Sequence, residues 1–229
     1  MTYRIADLIV QMDAGGRTAR QAEPYRIADG PTPDVVIQPN LPAYRELYAK
    51  LTEDDSEYMA TGAVFYSRLL DHDGLLLHAS CVVLDGKAYL FSAPCGTGKS
   101  THTAFWLSRF GERAYILNDD KPALRLVDGK WFVYGTPWSG KNDISRNARV
   151  PLGGIGILRR GDKNHAEKIT GAAAAFGILD QTIRPRREER MQTVMALVGK
   201  LVETGRIYQV TATLSPEAAE VASGVMCEE

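Results

Sequence analysis

Over the first forty residues, short apolar runs are broken by Gly, Pro and Asp. "YRIADLIVQM" and "PYRIADGPTPDVVIQ" predict strands over 3–12 and 24–38, an N-terminal β layer. "LPAYRELYAKLT" (41–52) predicts a helix opening near Pro42. "DSEYMATGAVFYSRLLD" (55–71) predicts a second, capped by Asp55 or Ser56, with Tyr58, Val64, Phe65 and Leu69 on roughly one face. Two apolar runs follow, "GLLLHASCVVLD" and "KAYLFSA", joined by Asp85-Gly86, and Asp-Gly between apolar runs signals a hairpin. "KSTHTAFWLSRF" (99–110) predicts a helix stopped by Gly111. "RAYILNDD" reads as a strand with acidic residues at its end. "PALRLV" and "KWFVYG" form a second hairpin around Asp128-Gly129.

"GTPWSGKNDISRNAR" is a polar loop, and "LGGIGILRRG" another short strand. A helix is predicted over 186–204, with Met191, Val194, Met195, Val198 and Leu201 near one side. "GRIYQVTATL" is a late strand and "SPEAAEVASGVM" a final capped helix. Strands outnumber helices on both sides of the glycine-rich turn, which predicts a mixed sheet rather than regular βαβ alternation.

Composition narrows the picture. The chain has 229 residues, 45% hydrophobic and 24% charged, with a formal net charge of -1. That is enough for one large core, and the near-zero charge disfavours long nucleic-acid contacts. Cys81, Cys95 and Cys227 form no CxxC pair, so neither a zinc site nor a disulfide framework is indicated. No stretch is apolar over a membrane span, and the N-terminus lacks a signal-peptide core. A reduced, cytoplasmic protein is expected.

The chemistry centres on "SAPCGTGKST". Residues Ala93 to Ser100 follow the phosphate-loop pattern G-x-x-x-x-G-K-[ST], with Ala in place of the first Gly. Gly96 and Gly98 allow positive φ and close backbone approach, so successive amides around Cys95, Gly96, Thr97 and Gly98 can face phosphate oxygens. The following helix adds its positive end. Lys99 can reach the β- and γ-phosphates, Ser100 can sit on Mg²⁺, and Thr101 can add a phosphate contact. The loop lies between a predicted strand and a predicted helix, the context the motif requires. Asp119 and Asp120 close the next strand. Neighbours on a strand point to opposite faces, so one could meet the metal and the other accept a hydroxyl proton; which does which is open. His78 sits in an otherwise apolar run.

Taken together, "HASCVVLDGKAYLFSAPCGTGKST" and "LNDDKPAL" resemble HPr serine kinase/phosphorylase, whose nucleotide site is similar to that of phosphoenolpyruvate carboxykinases. The resemblance covers about residues 74 to 160 and is closer still to compact, uncharacterised kinase-like proteins of that superfamily. It implies a largely antiparallel α/β kinase domain of that type with helices packed on the sheet, over 61–229, preceded by a small β/α region over 1–60. It also implies that His78 lies near the γ-phosphate, that Lys99 and Ser100 serve the nucleotide and metal, and that Asp119 and Asp120 share the roles of base and metal ligand. The family's metal-binding Glu in the later strand has no counterpart in "KWFVYGTPWSGK".

The polar loop brings Trp138, Ser139, Lys141, Arg146 and Arg149. It is either an acceptor or γ-phosphate contact, with Lys141 or Arg146 neutralising transition-state charge, or a surface loop with solvated cations. The expectation is an ATP- and Mg²⁺-dependent kinase transferring the γ-phosphoryl to a hydroxyl of a peptide, small protein or metabolite. No nucleic-acid or membrane partner is expected, and a homo-oligomer is left open. A carboxykinase-like enzyme and a non-catalytic nucleotide-binding subunit are the alternatives.

Overall fold

The computed structural model describes residues 1–28 and 30–228. The chain opens as a hairpin, β1 (Thr2–Ile5) and β2 (Leu8–Met12), around Ala6 and Asp7. Both turn residues have positive φ, 53° and 62°, the geometry that matches the twist of two paired strands. The single strand expected over 3–12 is therefore two. Of the strand expected over 24–38, only β3 (Val35–Ile37) forms, parallel to β2. Pro24, Pro31 and Pro33 remove ladder donors, and residues 23–25 make a 3-10 turn instead. Position 29 of that stretch lies outside the described residues. Helix α1 (Gly16–Ala22) occupies part of the gap.

Helix α2 (Leu41–Leu47) is capped by the Asn40 side chain and ends before the expected residue 52. Helix α3 (Glu53–Leu69) starts two residues before the expected 55. Its cap is Thr52, whose hydroxyl oxygen accepts from the Asp55 amide at 3.1 Å, with Glu53, Asp54 and Asp55 favourably placed in the first turn.

Among the described residues the main sheet has nine strands. β4 (Gly74–Leu76), β5 (Ala79–Leu84), β6 (Lys87–Ser92), β7 (Ala114–Asn118), β8 (Ala123–Val127), β9 (Lys130–Tyr134) and β10 (Arg149–Arg160) run in the order β4-β8-β9-β10-β6-β5-β7. β11 (His165–Lys168) and β12 (Ile207–Ala212) extend it from β10, as β12 pairs with both β10 and β11. Strand β10 is the spine: residues 149–151 pair antiparallel with β9, and the rest runs parallel to β6 and β12. Among the described residues, every other pairing in this sheet is antiparallel, so the fold is a mixed α/β one. Both Asp-Gly hairpins form, with positive φ at Asp85, Gly86, Asp128 and Gly129. The run expected as one strand over "GLLLHASCVVLD" divides at Leu77-His78, because the His78 amide leaves the sheet to donate to Gln181 O at 2.8 Å.

Helices cover both faces of the sheet. α4 (Lys99–Phe110) and α7 (Glu217–Met226) lie on one side, α5 (Gly171–Leu179) and α6 (Glu188–Glu203) on the other. The strand period of two sorts the core. Cys81, Val83, Ala88 and Leu90 pack with Ile178, Val194 and Leu197. Val82, Leu84, Tyr89 and Phe91 pack with Trp106 and Ala222. Strands buried on both faces read as unbroken apolar runs, which is what "SCVVL" and "AYLF" are. On α6, Met195 is 49% exposed, against expectation, and Leu197 takes the buried place beside Val194, Val198 and Leu201. A third cluster joins Tyr3, Ile5, Val10 and Ile37 to Phe65, Tyr66 and Trp138, seating the N-terminal sheet on α3. No helix among the described residues is long and apolar enough to cross a membrane.

Candidate active site

Four segments meet at one end of the sheet: the β6–α4 loop, the end of β7, the break before β5, and the 136–148 loop. The glycine-rich loop is built on left-handed backbone, φ 78° at Gly96 and 111° at Gly98. A side chain at Gly96 would meet nothing within 4 Å, so this backbone faces open space. Gly98 is the N-cap of α4 and supplies no side-chain cap, so the positive end of the helix has no anion of its own. Lys99 is 8% exposed, and its ammonium donates to the carbonyls of Ala93 (2.9 Å) and Pro94 (3.3 Å). Burial pulls its pKa down, opposed chiefly by the nearby Asp120. Arg160, at the end of β10, donates to the carbonyls of Thr97 (3.0 Å) and Gly96 (2.7 Å) and pins the loop from outside.

Asn118 ends β7 and turns the chain. Its side-chain oxygen accepts from the amides of Asp120 (3.0 Å) and Lys121 (2.8 Å), an Asx turn that exposes successive carboxylates to different partners. Asp119, buried, accepts from the Ser80 hydroxyl at 2.6 Å and the Asn142 amide group at 2.7 Å. Ser80 in turn shares a 2.8 Å hydrogen bond with Thr103 of α4. Asp120 faces His78 Nε2 at 3.3 Å and the Lys121 ammonium. Burial alone would raise its pKa, but the hydrogen bond from His78 and the charge of Lys121 outweigh it and hold the carboxyl down at about 2. His78 Nδ1 lies 3.0 Å from Gln181 Oε1, which fixes the ring.

These groups line a cleft of about 860 Å³, within the usual range for a ligand site. Of the residues singled out from sequence, His78, Cys95, Gly96, Gly98, Lys99, Ser100, Thr101, Asp119, Asp120 and Lys141 line it. Thr97 instead borders a small cavity of about 10 Å³ beside His102. The polar loop is only partly a cleft wall. Trp138 is 1% exposed, stacks on Phe65 at 4.9 Å and donates to Thr61 Oγ1, so it belongs to the α3 core. Ser139 is buried beside it. Arg146 lies over the Tyr115 ring at 4.3 Å, and Arg149 over Phe132 at 3.8 Å with its guanidinium on Asp7. Neither of these arginines is among the residues lining the cleft.

Sequence reasoning did not single out Arg17, Asn142 and Arg160, which also line the cleft, nor Ser80 beneath Asp119, and it read Tyr58, another cleft residue, only as part of the apolar face of its helix. Ser80 carried one signal, a hydroxyl inside a buried apolar run. Among the described residues no three His, Cys, Asp or Glu side chains are grouped to hold a metal. A hard cation here would rest on a carboxylate, the Ser100 hydroxyl and ligand oxygens, as Mg²⁺ commonly does.

No protein-family model matches the chain, and no curated protein matches it. Among solved structures, it is similar to the HPr(Ser) kinase/phosphatase from Coxiella burnetii, at 14% identity and a TM-score of 0.31, over 56% of this chain and 97% of that one. An overlap this loose carries neither a fold family nor an activity across.

Proposed function

We propose that this chain is an ATP-dependent phosphotransferase that moves the γ-phosphoryl group to an acceptor hydroxyl, on a serine of a peptide or protein or on a small molecule. One observation carries the proposal: a single cleft is lined both by an uncapped, glycine-opened helix N-terminus bearing Lys99 and by the carboxylates Asp119 and Asp120.

The loop fits a polyphosphate. Lys99 is a buried cation with neutral carbonyl partners, and a phosphate oxygen would replace them with a stronger charge-assisted bond. Ser100 and Asp119 suit Mg²⁺, because Asp119 is already steadied by Ser80 and Asn142. When bound, Mg²⁺ neutralises charge on the β- and γ-phosphates. Asp120 is assigned the acceptor's proton. As the acceptor oxygen bonds to phosphorus, the bridging P–O bond breaks, ADP leaves with that electron pair, and the hydroxyl proton passes to Asp120. A carboxylate with a pKa of about 2 is a weak base. It suits a loose transition state, where positioning and charge matter more than early proton removal. His78 holds Asp120 ionised and oriented.

Calorimetric titration with ATP tests the nucleotide half of this assignment. Wild type should bind in the presence of Mg²⁺, and Lys99→Met should weaken binding about 10- to 100-fold, the worth of a charged hydrogen bond. Equal binding by the two proteins would remove the loop from the proposal.

A further inference from the structure

The loop over the carboxylate pair is held from the N-terminal side of the molecule. Gly140 lies directly on Asp120: a Cβ added there would come within 2.6 Å of Asp120 Cβ. Both peptide groups of Gly140 are held by residues before position 60. Its N–H donates to the Tyr58 hydroxyl at 3.0 Å, and its carbonyl accepts from Arg17 of α1. The same guanidinium reaches Asp143 at 2.9 Å and Asp55 at 3.4 Å, and lies 4.0 Å from the centre of the Tyr58 ring. Gln21, one turn along α1, also donates to Asp143. Between these anchored ends sits Asn142, whose amide group holds Asp119 at 2.7 Å. Arginine suits the place because one planar fork can meet a carbonyl, two carboxylates and a ring face together, which an ammonium cannot.

We infer that Arg17 is a positioning residue: it clamps the 140–143 loop onto Asp119 and Asp120, so that the N-terminal region sets the geometry of the carboxylates opposite the glycine-rich loop. The chain of contacts is Arg17 to Gly140 and Asp143, Asn142 to Asp119, and Ser80 and Thr103 to α4. The catalytic consequence rests on the phosphotransferase proposal, whereas the clamp itself is observable without it.

The test compares full-length wild type with Arg17→Met, Arg17→Lys, Asp143→Asn and Asp7→Asn, by amide hydrogen exchange and by steady-state kinetics with ATP and Mg²⁺. Arg17→Met should speed exchange across residues 139–146 about tenfold or more, since charged hydrogen bonds are lost. It should lower kcat about 100-fold, the cost of misplacing a reacting group by roughly 1 Å, with the KM for ATP changed less than about twofold. Arg17→Lys should recover little of either. Asp143→Asn should show the same pattern more weakly, which keeps the test open if Arg17→Met folds poorly. Asp7→Asn loosens a contact between the first hairpin and the Arg149–Tyr134 region, and should leave both readouts unchanged. Loss of activity without faster exchange at 139–146, faster exchange with kcat intact, or recovery by lysine would each overturn the clamp. If wild type transfers no phosphoryl group, the functional proposal fails, and exchange alone still decides whether Arg17 holds the loop.

Discussion

Asp120 keeps its charge in a corner where its side chain is only 20% exposed, and it does so because His78 and Lys121 flank it. That arrangement has a pH signature. Its folded pKa, about 2, lies below the ordinary carboxylate value, so the stability it lends is complete above about pH 4 and is lost as pH falls toward 2. Urea denaturation across that range should show wild type losing about 2 kcal/mol relative to Asp120→Asn. Parallel curves for the two proteins would mean that His78 and Lys121 do not hold the carboxyl down. At this scale the sequence was partly legible. Lys99 stood out through the glycine-rich loop pattern, Asp119 and Asp120 because they close an apolar strand, and His78 because it interrupts an apolar run and matches the resemblance. Arg17, Asn142 and Arg160 did not. Their partners are tens of residues away along the chain, and no local period marks a side chain that closes a contact between distant segments.

At the scale of elements, backbone chemistry decided what could be read. The Asp-Gly turns and the Gly98 to Gly111 bounds of α4 were legible because left-handed φ demands particular residues. The N-terminal strands were not, since a two-residue turn at Ala6-Asp7 and a proline-broken stretch leave the apolar pattern intact while dividing the ladder. The aromatic in the polar loop misled for a different reason. Trp138 interrupts a hydrophilic stretch, which suits a ligand contact, but its ring is spent on Phe65, Tyr66 and Gly62, where a Cβ would already come within 2.9 Å of the indole. Trp138→Ala should therefore cost about 3–5 kcal/mol of folding stability, the usual loss for emptying a large aromatic site. A change under about 1 kcal/mol by chemical denaturation would return Trp138 to the cleft wall.

Over the whole molecule, the nine-stranded sheet brings the glycine-rich loop, the Asp119–Asp120 pair and His78 to one end, and the N-terminal layer closes over them through α1 and α3. The strand order that does this, with β10 joining two parts of the sheet, rests on pairings between segments far apart in sequence. Apolar patterning shows that such strands are buried without saying which neighbours they choose. The most direct measurement is transfer of label from γ-labelled ATP with Mg²⁺, using serine-containing peptides and small alcohols as acceptors and counting release to water alongside. Wild type should move the label. Asp120→Asn should bind ATP as wild type does yet transfer about 100-fold more slowly, the low end of the range for loss of a general base, as suits a weak base at a loose transition state. Label that stays on the nucleotide with every acceptor and with water, or an Asp120→Asn variant as fast as wild type, would contradict a phosphoryl-transfer site in this cleft.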